Sequence, residues 1–365
     1  MATVKEREGL NEIAPYQAAK SLEALKRELN LTEIIKLAGN ENRIGCSVKV
    51  LDAILAEEKE FSFYPDTNCT LLKEKLGSLH KVDPSNLIIG NGSFELIALL
   101  AHAYLGEDEE AIIPEPSFGW YKNVTLQMNA KPVLVPLEDF AIDTNAVLKA
   151  ITPKTKLIWI CNPNNPTGTV LKEEELRAFI RQVPDHILIA VDEAYIDFVE
   201  EEYFDTVSLI RQHKNVILLR TFSKLYGLAS FRVGYGIAEE TIIENLNKIR
   251  SPINVSLTAQ KAAAASLEDE AFAKLVLNNN KKSLELYYKE LNALKLKFVR
   301  SNGNFILIET KIDGKVVEDI FLQNQILIRN AAEFGLDGWI RVSIGTFEEN
   351  KRVIRVLKEI VNKNK

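Results

Sequence analysis

The chain predicts an α/β fold in which a large domain, with a mostly parallel seven-stranded sheet sandwiched by helices, precedes a smaller α+β domain. Three observations carry that expectation. Between residue 87 and about residue 237, short β-rich apolar runs alternate with helical patterns. The runs are apolar at every position, as strands covered on both faces are, where a half-exposed sheet would alternate. From about Ser256 the pattern changes to long helices, then spaced strands and a closing helix. A chain of 365 residues is also too long for one small core.

In chain order, the first forty residues carry one helix, over 19–29, and an extended stretch at 35–37, and the pattern alone lets either join either domain. Strand-like runs follow at 87–89, 111–113, 133–135, 157–160, 187–191, 216–219 and 233–237. Residues 257–294 read as one or two long helices, with strands at 304–308, 326–328 and 339–342 and a last helix after Glu348.

Composition excludes several function classes. A formal net charge of −6 does not suit general nucleic-acid binding, which needs a basic face. The longest apolar helical run, 94–105, is too short to span a bilayer. The first ten residues are charged and lack the apolar core of a signal peptide. Cys46, Cys69 and Cys161, an odd number without Cys-x-x-Cys spacing, read as reduced thiols and predict a cytoplasmic protein. The four histidines are scattered, so no metal is expected.

Polar groups gather just after several strands, where open α/β sheets bind their ligands. Gly90-Asn91-Gly92-Ser93 stands between a strand and a helix, so backbone N–H groups and the helix N-terminus can meet an anion there. By itself it reads as a tight turn capped by Ser93. The loop from Cys161 to Gly168, with two prolines, can aim an asparagine amide. Asp192 ends a fully apolar strand, and a carboxylate so placed needs a cationic or protonated partner, or else caps the next turn. Lys224 follows another buried strand, where an amine can be held partly neutral and nucleophilic, and Arg232 lies eight residues on, suited to a phosphate. Any one of these arises by chance; the ordered set points to catalysis. A nucleotide-binding dehydrogenase would use a similar sheet, but Gly234-x-Gly236 lacks the third glycine of the dinucleotide fingerprint.

At these residues the chain resembles the fold-type I aminotransferases of class I/II, which use pyridoxal 5′-phosphate (PLP). The resemblance runs over nearly the whole chain. Its motifs are Asn164-Asn165-Pro166-Thr167-Gly168, Asp192-Glu193-Ala194-Tyr195, Ser223-Lys224 and Arg232-Val233-Gly234-Tyr235. Within that class it is most similar to the histidinol-phosphate aminotransferases, through Gly39-Asn40-Glu41-Asn42, Tyr64-Pro65-Asp66, Gly90-Asn91-Gly92-Ser93 with Glu95-Leu96, and the stretch from Ile340 to Thr346. Aromatic amino-acid aminotransferases and threonine-phosphate decarboxylases look similar around the lysine.

The resemblance implies that Lys224 holds the cofactor covalently, Asp192 pairs with its ring nitrogen, and Asn165 and Tyr195 contact its hydroxyl. It puts Phe118 against the ring and Gly92, Ser93, Phe94, Ser223 and Arg232 around the phosphate. Tyr64 matches a tyrosine that reaches the phosphate of a neighbouring subunit, which implies a homodimer. Tyr16, Asn40, Asn165, Arg329 and Arg341 fall at substrate-binding positions, for an amino donor and a 2-oxo acid in a ping-pong cycle. The implied division is an N-terminal segment over 1–45 packing with the small domain, a large PLP-binding domain over 46–256 and a small domain over 257–365. Three departures stand out: Arg43 replaces a usual proline, Phe94 a usual aspartate, and Ala18-Ala19 a common Pro-Gly.

Overall fold

The computed structural model describes residues 4–15, 21–199 and 203–363. Its strands in chain order are β1 (Ile35–Lys36), β2 (Leu87–Gly90), β3 (Glu110–Glu115), β4 (Lys131–Pro136), β5 (Thr155–Cys161), β6 (Leu188–Asp192) and β7 (Val216–Thr221). They continue with β8 (Gly234–Ala238), β9 (Phe298–Val299), β10 (Phe305–Glu309), β11 (Ile326–Leu327), β12 (Arg329–Asn330) and β13 (Trp339–Ser343).

Seven of these form one sheet in the order β2-β8-β7-β6-β5-β3-β4. Its pairs are parallel except those of β8, which runs antiparallel to both neighbours. The uniformly apolar runs are covered on both faces except at the edge strand β4, where Leu134 is exposed because no further strand or helix among the described residues covers it. One face carries Ile158, Ile160, Ile189, Val191 and Leu218 into a core with Leu176, Phe179 and Ala262. The other carries Leu157, Trp159, Ala190 and Ile217 into a core with Leu96, Leu100 and Tyr121. Strand register decides where the chemistry sits. Cys161 lies beside Asp192, Asp192 beside Leu219, and Thr221 beside Gly234, so these strand ends share one edge.

The helical stretch after Ser256 is two helices, Leu257–Ser266 and Glu270–Leu294. Asp269 separates them by capping the second, accepting from Phe272 N at 3.0 Å. The first is alanine-rich, and Ala259, Ala262, Ala263 and Ala264 pack into the core of the seven-stranded sheet. The second covers a third core, with Tyr287 and Leu291 against Ile306, Ile308, Ile340 and Val342. That core lies on the four-stranded sheet β12-β13-β10-β9, closed by the last helix, Phe347–Lys363.

The N-terminal segment divides its contacts. Ile35 and Leu37 enter the third core, and β1 pairs in parallel with β11. Upstream, Gly9 N donates to Asn129 Oδ1 at 3.0 Å and Arg7 Nη1 to Gln127 O at 3.0 Å, against the larger sheet's outer helix Trp120–Gln127 and the turn after it. We propose that 257–266 belongs with the large domain and that residues 7–9 and 35–37 touch one domain each. No helix among the described residues is long and apolar enough to cross a membrane, and none of their His, Cys, Asp and Glu side chains cluster to hold a metal.

Leu37 ties β1 to both neighbours of the small domain: its N–H donates to Leu327 O at 2.7 Å, and its carbonyl accepts from Ser343 N at 2.9 Å. Leu37→Ala should lower stability by about 2–5 kcal/mol, as truncation of a fully buried leucine does. Thermal unfolding measured by circular dichroism would show the loss.

Candidate active site

Two adjoining cavities, of about 330 and 420 Å³, open at the shared strand edge. Both are lined by Gly39, Phe118, Asn165, Tyr195 and Lys224. The first continues over Ser93, Phe94, Asp192, Ser223 and Arg232, the second over Asn40, Trp120, Arg329, Glu333 and Arg341.

Asp192 closes β6 and is 4% exposed. Burial drives its carboxyl up to about 6, and the hydrogen bonds from Tyr121 OH and Ala194 N hold it from rising further. The Tyr121 hydroxyl donates to Oδ2 at 2.6 Å, and the Ala194 N–H to Oδ1 at 3.2 Å. Lys224 lies three residues beyond the end of β7, and its Nζ donates to Gly39 O at 3.1 Å. Burial lowers this amine to about 8, with the positive charges of Arg341 and Arg232 adding to the effect.

The other end of the first cavity is a cradle fixed by close approach. Gly92 opens the helix Gly92–Tyr104 with φ +72°, and a Cβ there would come within 2.5 Å of Arg232 Nη2. On the other side, a Cβ on Gly234 would lie 2.4 Å from Ser93 N. The glycines thus let a guanidinium and backbone N–H groups converge at a helix N-terminus, where an anion is favoured. Thr221 Oγ1 donates to Ser223 Oγ at 3.0 Å, setting that hydroxyl in the same wall. Phe94 meets Trp120 edge-on, with ring centroids 4.9 Å apart. The aspartate usual at that position is thus exchanged for an apolar contact, while the backbone of the cradle is kept.

The second cavity is roofed by the small domain. Arg341, on β13, is 6% exposed; its Nη1 donates to Asn165 Oδ1 at 2.5 Å and its Nη2 to Ala38 O at 2.8 Å. Among the described residues no carboxylate pairs with it, and its buried Nε–H has no partner. Burial lowers its pKa, and the like charge of Arg329 adds to this. Arg329 is its cross-strand neighbour on β12 and bonds through Nε to Glu333 Oε1. Asn40, with φ +53°, donates through Nδ2 to Tyr195 OH at 3.0 Å and is held by Ser343 and Asn304. Burial pushes the Tyr195 phenol up to about 12, so it stays protonated at neutral pH.

Of the residues singled out in the sequence, Lys224, Asp192, Asn165, Tyr195, Phe118, Ser93, Phe94, Ser223, Arg232, Asn40, Arg329 and Arg341 line these cavities, with Gly92 beneath Arg232. Tyr64 does not: it is 86% exposed, on a surface with Phe61 and Phe63. Tyr16 and Ala18-Ala19 lie outside the described residues. Arg43 pairs with Glu349 and lines neither cavity. Sequence reasoning missed Tyr121, Cys161 and Glu333. The one signal for Tyr121 was its place three residues after Phe118, whose ring it meets just as the helix begins.

These groups fit PLP: an anion cradle at one end, a buried carboxylate and a partly neutral amine at the other, and an aromatic ring, Phe118, in the wall between.

Comparison with known proteins agrees with this geometry. The family model "Aminotransferase class I and II" matches residues 32–357. A histidinol-phosphate aminotransferase of Caldicellulosiruptor saccharolyticus is 42% identical over 97% of this chain and 99% of its own. One from a Geobacillus species is 41% identical over 96% and 97%. Among solved structures, the histidinol-phosphate aminotransferase of Clostridium acetobutylicum aligns with TM-score 0.84 and 25% identity, covering 90% of this chain and all of that one. The fold is also that of the Sinorhizobium meliloti histidinol-phosphate aminotransferase in complex with pyridoxal-5′-phosphate, with TM-score 0.90 and 24% identity over 100% and 99% of the two chains. The chain belongs to the class I and II aminotransferases, enzymes whose cofactor is PLP.

Proposed function

We propose that this aminotransferase moves the amino group of L-histidinol phosphate to 2-oxoglutarate, giving imidazole acetol phosphate and L-glutamate. The observation that carries the substrate class is Arg341. A buried guanidinium with no carboxylate partner is costly, and an anionic substrate supplies the missing charge. Arg329 beside it makes a two-arginine patch on the far side of the shared cavity wall from the cradle. Guanidinium binds phosphate and carboxylate oxygens alike, so one patch serves both the phosphate of the donor and the carboxylates of the acceptor. The names of the full-length relatives support this choice.

When bound, PLP supplies an electron-withdrawing ring that stabilises negative charge at the substrate Cα. In this reading Gly92, Ser93, the Phe94 N–H, Ser223 and Arg232 grip its phosphate, and Phe118 packs on its ring. Asp192 holds a proton on the ring nitrogen, while Asn165 and Tyr195 hold the ring hydroxyl. Lys224 would anchor the cofactor, and its Nζ, as a free amine, would carry the proton from the substrate Cα to the C4′ carbon of the cofactor. An amine near 8 suits that task, because it exchanges protons near neutral pH, unlike an ordinary lysine. Exposed Val48, Leu51, Phe61, Phe63 and Tyr64 supply apolar surface for a second copy. In a homodimer Tyr64 would reach the phosphate cradle of the partner. The three free thiols fit a cytoplasmic enzyme.

Purified enzyme given 2-oxoglutarate should turn over L-histidinol phosphate with a kcat/KM at least about tenfold above that for L-phenylalanine, in a coupled glutamate assay. The contact of Phe94 with Trp120 builds an apolar wall that an aromatic donor could use. Preference for phenylalanine would therefore replace this reading with an aromatic amino-acid aminotransferase.

The amine makes a separate prediction. In cofactor-free protein, acylation of Lys224 followed by peptide mass spectrometry should be half-maximal near pH 8. Below that pH the amine is protonated and unreactive; a solvated lysine would titrate near about 10.4.

A further inference from the structure

We infer that Tyr121 is the positioning residue of the active site: its hydroxyl fixes and keeps ionised the carboxylate of Asp192, while its ring sets the Phe118 side chain. This rests on the reading of Asp192 as the partner of the cofactor nitrogen.

Tyr121 is fully buried and lies 71 residues from Asp192 in the chain, yet its hydroxyl donates to Oδ2 at 2.6 Å. The ring is clamped on two sides. It stacks on Trp159 of β5, with centroids 4.8 Å apart and planes 10° from parallel. It meets Phe118 edge-on at 5.5 Å and 78°. Phe118 lines both cavities, so one side chain touches the wall expected to pack on the cofactor ring and the carboxylate expected at its nitrogen. Thr125 Oγ1 donates to Tyr121 O at 2.8 Å within the same helix.

The direction of the effect follows from the groups around Asp192. Tyr121 comes from the outer helix, Cys161 from the end of β5, Glu193 and Tyr195 from the turn after β6, and Lys224 from beyond β7. Burial pushes the Cys161 thiol up to about 12 and the Tyr121 phenol well above its ordinary value, so both stay neutral. Tyr121 is therefore a permanent donor. A donor that bonds the charged form favours it, against burial and the like charge of Glu193, which favour the neutral acid. Removing the hydroxyl leaves Oδ2 without this bond and raises the carboxyl pKa further. A protonated Asp192 cannot hold a positive ring nitrogen, so cofactor affinity falls with it.

The test compares Tyr121→Phe with Trp159→Phe, which disturbs the same aromatic stack but keeps the hydroxyl. In cofactor-free protein with 13C-labelled aspartate, Asp192, identified by its absence in Asp192→Asn, should titrate near 6 in the parent. It should titrate about one unit higher in Tyr121→Phe, the size expected for a hydrogen bond to a charged group. Fluorescence titration with PLP at pH 7, where a carboxyl one unit above 6 is half protonated, should show affinity about twofold weaker in Tyr121→Phe, and Trp159→Phe should leave the Asp192 titration in place. Unchanged titration in Tyr121→Phe, or an equal shift in both variants, overturns the proposal. If Asp192→Asn bound PLP and turned over like the parent, the reading of Asp192 itself would fall, whatever its titration. A Tyr121→Phe protein too unstable to purify is replaced by 3-fluorotyrosine at this position. The more acidic phenol should then move Asp192 downward, and an upward or absent shift overturns the proposal.

Discussion

A carboxylate at the end of a strand with no exposed face is the constraint on which the rest of this site depends. Asp192 cannot be left alone there, because an unpaired buried charge is expensive. Its two protein donors, Tyr121 and Ala194, compensate part of that cost, and its pKa near 6 shows what is left over. What remains is a standing demand for a positive partner at a fixed place. The lysine beyond β7 and the anion cradle beyond β2 sit at distances from it set by backbone register, and register is the stiffest thing a sheet offers.

The small domain acts on this edge through few contacts of unusual reach. Arg341 touches Asn165, Asn40 touches Tyr195, and Lys224 touches Gly39 O. Each joins a residue from the loops beyond the large sheet to the 38–40 stretch or to β13. Arg341 is thereby bonded to Asn165, the amide that lines both cavities.

Much of this was legible in the sequence because apolar runs and loop motifs are local. The seven strands lie where uniform hydrophobicity puts them, and the residues at their ends converge because parallel strands bring all their carboxyl ends to one edge. The break between the helices at 257–266 and 270–294 was not fixed, since Asp269 reads equally well as a surface residue until its side chain is seen to cap Phe272 N. Tyr121 and Glu333 escaped for another reason. Their partners are defined by packing: one lies 71 residues away, and the other is a helix-like neighbour whose meaning depends on a cavity. The cross-strand placing of Arg329 and Arg341 came from resemblance, because spacing alone does not give antiparallel register.

The contact between Gly92 and the Arg232 guanidinium makes the glycine part of the anion grip although it offers no side chain. With no β-carbon, position 92 takes φ +72° without strain, and the guanidinium, 140 residues further along the chain, can close over it. Any other residue at 92 would strain the backbone and push the end of the arginine side chain aside, so the cradle would loosen from its floor upward.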